Sequence, residues 1–147
     1  MDELNAEDPS QVALRAATGQ LRSLRQHRCA TAERDQRRAA QQLQALLDEL
    51  TRKQAHAESE QAALVQWRHA LSGQLQGGGS MRTLRQWLGQ EASRLRQVEA
   101  LKQGLLAHQQ QVEHQRSELA RCKQVVAHRV RAVEKMDVLR EILDEQS

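Results

Sequence analysis

The sequence predicts an all-α protein: a long antiparallel two-helix coiled-coil hairpin with a Gly-rich tip. Three observations carry that prediction. The 147 residues include no Phe, no Tyr, two Trp and one Pro, too little bulk to fill a thick core, while Leu, Ala, Gln and Arg dominate as they do in long helices. Leucines recur in alternating steps of four and three, the spacing of a coiled-coil seam. Finally, "LQGGGSMRT", residues 75–83, is the one stretch that breaks the helical pattern outright, and it leaves almost equal lengths on either side.

The first arm runs over about 9–76. It starts in "DPSQ", where Asp8 can cap, Pro9 takes the first helical position without wasting an amide, and Gln11 takes the third. Gly19 and Gly73 each cost up to about 1 kcal/mol against Ala, which a long arm tolerates. A seam is expected through Leu43, Leu47, Leu50, Gln54, Ala57, Gln61, Leu64, Arg68, Leu71 and Leu75. Gln54, Gln61 and Arg68 each forgo roughly 1.5 to 3 kcal/mol of apolar burial, so this seam is diluted.

The tip is residues 77–80, where glycines allow the positive φ that a tight reversal needs. The second arm, about 81–144, follows Ser80, a good N-cap whose usual Glu or Gln partner three residues on is replaced by Thr83. Its expected stripe is Met81, Leu84, Leu88, Leu95, Val98, Leu105, Val112, Leu119, Val126, Val130 and Val133, shifting to Met136, Leu139 and Leu143. Each arm of about 65 residues would be roughly 100 Å long. Folding back gives each diluted seam a partner at high effective concentration, so residues 1–147 read as a single hairpin domain.

In such a hairpin, residues whose numbers sum to about 156 lie level. Trp67 and Trp87 would then sit near each other close to the tip, either as local packing or as a partner contact of the kind Trp favours. His27, Cys29, Cys122 and His128 also fall at similar heights. Their spacings of two and six put neither pair on one helix face, so no zinc or other metal site is expected. The histidines at 56, 69, 108 and 114 read as ordinary surface residues.

Several functions are disfavoured. With 22 basic and 19 acidic side chains interleaved, the net charge is only +3, and aromatics for base stacking are nearly lacking, so no nucleic-acid partner is expected. No long apolar run occurs and "MDELNAEDPS" is acidic, which argues against a membrane span or signal peptide. Two cysteines fit a reducing, cytoplasmic compartment. "GGGS" lacks the Lys and the preceding strand of a phosphate loop, no nucleophile motif appears, and two paired helices offer no pocket. The chain is therefore expected to be no enzyme and to carry no cofactor.

Charge is the more informative pattern. Arg121, Lys123, Arg129, Arg131 and Lys135 precede an acidic end of Glu141, Asp144 and Glu145. Across the hairpin stand Arg22, Arg25, Arg28, Arg34, Arg37 and Arg38, forming a basic collar near the open end. Such a collar is either a solvated face or a surface for acidic loops of a multimeric partner.

A Gln/Arg/Leu-rich chain of this length, ending in a stretch like "HRVRAVEKMDVLREILDEQ", resembles the central-stalk proteins of type III secretion, the SctO or YscO family and its flagellar relative FliJ. The Arg-rich Hrp version of plant pathogens is the most similar. The resemblance implies a non-enzymatic stalk, shaped like the γ subunit of rotary ATPases, at the cytoplasmic side of the inner-membrane secretion apparatus. It would enter the hexameric secretion ATPase with its paired termini and link it to the export gate's cytoplasmic ring, with secretion chaperones as a further class of partner. The basic run Arg129, Arg131, Lys135 and Arg140 matches the family's charged end, and Arg34, Arg37, Arg38, Trp67 and Trp87 complete the candidate partner-binding set. The chain departs from flagellar relatives in its few aromatics and its Gly-rich tip. A generic cytosolic coiled-coil scaffold or adaptor, dimeric or not, needs only the heptads and is the alternative.

Overall fold

The computed structural model describes residues 8–146 and consists of two long helices packed against each other, α1 (Pro9–Gln76) and α2 (Met81–Glu145). No strand occurs among the described residues. The acidic residues 1–7, on which part of the argument against a signal peptide rests, lie outside the described residues.

Both helix starts follow from their capping residues. The Ser10 amide donates to Asp8 Oδ1 at 3.1 Å, and the Asp8 carbonyl accepts from the amides of Gln11 and Val12. Hydrogen bonds from the Ser10 hydroxyl and amide hold the Asp8 carboxyl below its ordinary value of 3.8. At α2, the Thr83 amide donates to Ser80 Oγ at 3.2 Å, and the two hydroxyls lie 2.9 Å apart. Thr83 thus engages the cap itself, in place of the missing Glu or Gln. Between the helices, the amides of Gly77 and Gly78 bond back three residues to Gln74 and Leu75, and Gly78 has φ 85°, a conformation that costs glycine alone almost nothing.

By their contacts the residues fall into two compact units, Met1–Gln42 with Arg116–Ser147, and Leu43–Gln115. Grouping by level is what paired helices do, since a residue touches only what stands at its own height. In the first unit the Arg15 guanidinium donates to Leu143 O, Arg22 pairs with Asp137, and Arg25 donates to Ala132 O at 3.1 Å. In the second, His108 meets Leu46 and Lys53, and Arg68 pairs with Glu91 at 3.0 Å. Within each unit, numbers rise along α1 as they fall along α2.

Burial shows where the seam runs. On α1 the buried and half-buried positions include Arg15, Thr18, Arg22, Arg25, Cys29, Ala32, Gln36 and Ala39 in the first unit, then Leu43, Leu46, Leu50, Ala57, Leu64 and Leu71 in the second. The matching positions of α2 run Leu84, Trp87, Glu91, Arg94, Val98, Leu101, Leu105, His108 and Val112, then Gln115, Leu119, Cys122, Val126, Arg129, Val133 and Met136. The α2 series follows unbroken steps of three and four, and the α1 series does so as far as Leu50, beyond which Ala57, Leu64 and Leu71 recur every seven residues.

This corrects the expected seam in part. Leu43, Leu47, Leu50, Ala57, Gln61, Leu64 and Leu71 are buried or half-buried, but Gln54, Arg68 and Leu75 are exposed. On α2, Met81, Leu88, Leu95 and Leu139 are exposed as well. Gln54, Arg68 and Leu75 sit one place beyond the positions 53, 67 and 74 that continue the three-four repeat, and Met81, Leu88 and Leu95 one place beyond 80, 87 and 94. A displacement of one residue turns a side chain by about 100° on a helix.

Candidate partner-binding site

The first unit holds the candidate site. Arg25 and Arg28 of α1 and His128, Arg129, Arg131, Ala132 and Lys135 of α2 line a groove of about 350 Å³. Its lining has five permanent cations and no carboxylate. Arg25 is positioned by its bond to Ala132 O and Arg129 is half-buried, while Arg28, Arg131 and Lys135 are exposed. Crowding like charges is unfavourable, and a carboxylate or phosphate entering the groove relieves it.

A second groove in the same unit is lined by Arg15, Thr18, Gly19, Arg22, Ser23, Gln26, Arg140, Leu143 and Asp144. Here the charges are mixed, for Asp144 belongs to the lining and Asp137 pairs with Arg22. Thr18, only 6 % exposed, satisfies its hydroxyl by donating to Leu14 O at 2.7 Å.

Of the sequence-derived candidates, Arg129, Arg131 and Lys135 converge on the cationic groove, and Arg140 stands in the mixed one. Arg34, Arg37 and Arg38 are exposed on α1 and do not line the cationic groove; Arg34 donates to Thr31 Oγ1 on its own helix. Arg121 is held by Glu118 at 3.0 Å. The collar is therefore narrower than the run of cations suggests.

The two indoles, both in the second unit, are half-buried. The Arg94 guanidinium lies 5.4 Å from the Trp67 ring centroid, a cation–π contact, and the Trp87 ring edge lies 4.0 Å from where a Cβ would stand on Gly79. Contacts across the unit join His108 with Leu46, whose numbers sum to 154 as those of the two indoles do, and Arg68 with Glu91, which sum to 159. Trp67 and Trp87 thus stand level by the first pair and about five residues, roughly 7 Å along the axis, out of step by the second.

Sequence reasoning missed His108. It is 3 % exposed, with Nε2 2.7 Å from Leu46 O and Nδ1 3.4 Å from the Lys53 ammonium, a pattern in which Nε2–H donates and Nδ1 accepts. The signal was its place in the series Leu101, His108, Gln115, Cys122.

Cys29 and Cys122 are free thiols, both half-buried. Cys29 Sγ lies 3.7 Å from Glu33 Oε1, and desolvation together with the charge and hydrogen bond of Glu33 pushes its thiol above the usual value. Among the described residues no group of three or more His, Cys, Asp or Glu could hold a metal ion, and no helix is long and apolar enough to cross a membrane. Compared with known proteins, the chain matches no family model, no curated protein and no solved structure.

Proposed function

We propose that the chain is the non-enzymatic stalk of a type III secretion system: a cytoplasmic antiparallel coiled-coil hairpin, reversed at its glycines, that inserts into the hexameric secretion ATPase and links it to the export gate. The observation that carries this reading is the convergence of Arg129, Arg131 and Lys135, part of the run that resembles the family's charged end, on one carboxylate-free groove with Arg25 and Arg28. A stalk inside a ring must engage several subunits without adhering to one. Charge attraction that acts over about a Debye length suits that task better than a tight apolar lock.

The test is co-purification with the hexameric secretion ATPase, combined with replacement of Arg129, Arg131 and Arg140 by Glu. The expected result is loss of secretion and of ATPase association with helical content retained by circular dichroism; unchanged secretion overturns the proposal. A second reading, a coiled-coil scaffold or adaptor, is favoured by the exposed side chains of Leu14, Leu21 and Leu24. Light scattering that showed a concentration-dependent dimer without ATPase affinity would select it.

A further inference from the structure

The first unit carries a second heptad stripe that the seam does not use. On α1, Leu14, Ala17, Leu21, Leu24 and Arg28 each stand one place before a seam residue and repeat in steps of three and four. On α2, His128, Ala132, Lys135 and Ile142 each precede a buried or half-buried residue, and Leu139, which precedes the exposed Arg140, keeps the same spacing. Arg28 lines the cationic groove together with His128, Ala132 and Lys135. Residues four, seven or fourteen places from these share their helix faces, so Leu14, Leu21 and Leu24 stand on the face of Arg28, and Leu139 and Ile142 on that of Lys135. The five aliphatic side chains are 40 to 49 % exposed.

Over the spans 14–28 of α1 and 128–142 of α2 neither stripe contains a carboxylate; further along the same stripes, in the same unit, stand Asp35 and Glu118. The acids level with these spans stand on the other side: Asp144 lines the mixed groove, Asp137 pairs with Arg22 there, and Glu33 and Glu134 line a further groove with Cys29. One side is thus leucine-rich at one end and cationic at the other, while the opposite side is mixed in charge.

We infer that this side of the first unit is a docking surface for an acidic amphipathic helix of a partner protein, which completes a local three-helix bundle. Two helices that each present a second three-four stripe on one side form the cradle that a third helix fills with its own a and d side chains. From Leu14 to Arg28 the stripe spans about 14 residues, roughly 21 Å, so the occupant needs four turns or more. It places apolar residues over Leu14, Leu21 and Ile142 and carboxylates over Arg28, Arg131 and Lys135.

Charge selects this occupant over two others. A second copy offering the same side would set cation against cation or cation against leucine, both unfavourable. A lipid surface is best gripped by helices with Trp or Phe on the inserted face, and neither stripe has one. The inference does not rest on the secretion reading.

The test uses the full chain and a fluorescein-labelled synthetic helix of about 20 residues, with Leu at a and d and Glu clustered at one end. Fluorescence anisotropy should show saturable binding that weakens with salt, and a Lys-for-Glu version of the peptide should bind at least about tenfold more weakly. L21E alone, and R28E with R131E, should each weaken binding about tenfold or more, whereas E134Q on the other side should leave it unchanged. All three variants alter exposed positions, and circular dichroism checks that they stay helical. Absence of saturable binding, or equal binding of both peptides, overturns the proposal. So does sedimentation with phosphatidylserine vesicles, or a concentration-dependent dimer, that L21E abolishes.

Discussion

The two units share one helical geometry and differ in what fills it. In the Leu43–Gln115 unit the seam places Leu46, Leu50, Leu64, Val98 and Val112 between the helices, with Leu64 only 1 % exposed. In the Met1–Gln42 with Arg116–Ser147 unit, the equivalent α1 positions are Arg15, Thr18, Arg22, Arg25 and Cys29, and the buried apolar residues are Ala32, Ala39 and Met136. A heptad repeat thus sets the pairing geometry without fixing its strength. The strength comes from the apolar volume at the seam, and in the first unit, where that volume is small, arginines occupy seam positions and cations are brought together.

The largest expected effect tests that contrast directly. Leu64→Ala should cost about 2 to 5 kcal/mol in urea unfolding, while Leu21→Ala, at an exposed position, should stay within about 0.5 kcal/mol. Equal costs would break the comparison. Next comes Gln61, whose Oε1 is buried without a hydrogen-bond partner. Gln61→Leu should raise stability by about 1 to 3 kcal/mol, because it removes a desolvated, unpaired acceptor and adds apolar contact. A loss of stability would mean that the amide holds a bond through water.

A smaller effect is expected where ion pairing stands in for packing. The Arg22 and Asp137 side chains are 29 % and 44 % exposed, so a double-mutant cycle with Ala at both should give a coupling of at most about 1 kcal/mol, further reduced by salt. A coupling of several kcal/mol would show that the first unit is held by charge. The smallest effect belongs to Asp8. Its carboxyl is lowered in the folded state, so its contribution is fully present above the ordinary value of 3.8 and is lost as pH falls through the lower folded value. Acidification should speed amide exchange in the first turn of α1 by this route, and Asp8→Ala should remove that pH dependence locally.

Much of the fold was legible because its punctuation is chemical. Asp8 with Pro9 and Ser80 with Thr83 announce helix starts, and Gly77 to Gly79 announce a break. The expected bounds of 9–76 and 81–144 differ from the observed helices by one residue at the end of α2. The phase of the seam was harder to read, because in both helices it passes through Arg22, Arg25, Glu91, Arg94 and His108, while Leu88, Leu95 and Leu139 lie beside it. A reader following leucines is drawn one residue off wherever a polar residue with a long aliphatic stem occupies the seam. The cationic groove was largely legible: the α2 run Arg129, Arg131 and Lys135 and the arginines of α1 across from it stand out in the sequence, but that Arg25 and Arg28 line the groove while Arg34, Arg37 and Arg38 do not requires the register.

The pairing of Arg68 with Glu91, and of His108 with Leu46 and Lys53, bears on how many ways the Leu43–Gln115 unit can assemble. Leucines alone would tolerate sliding by one repeat, since each would meet another aliphatic side chain. Such a slide would bring Arg68 opposite Leu84 or Val98 and leave the imidazole of His108 to find new company in a dry setting. Polar contacts of this kind add little cohesion, yet they make one alignment distinguishable from its neighbours and confine the population to it.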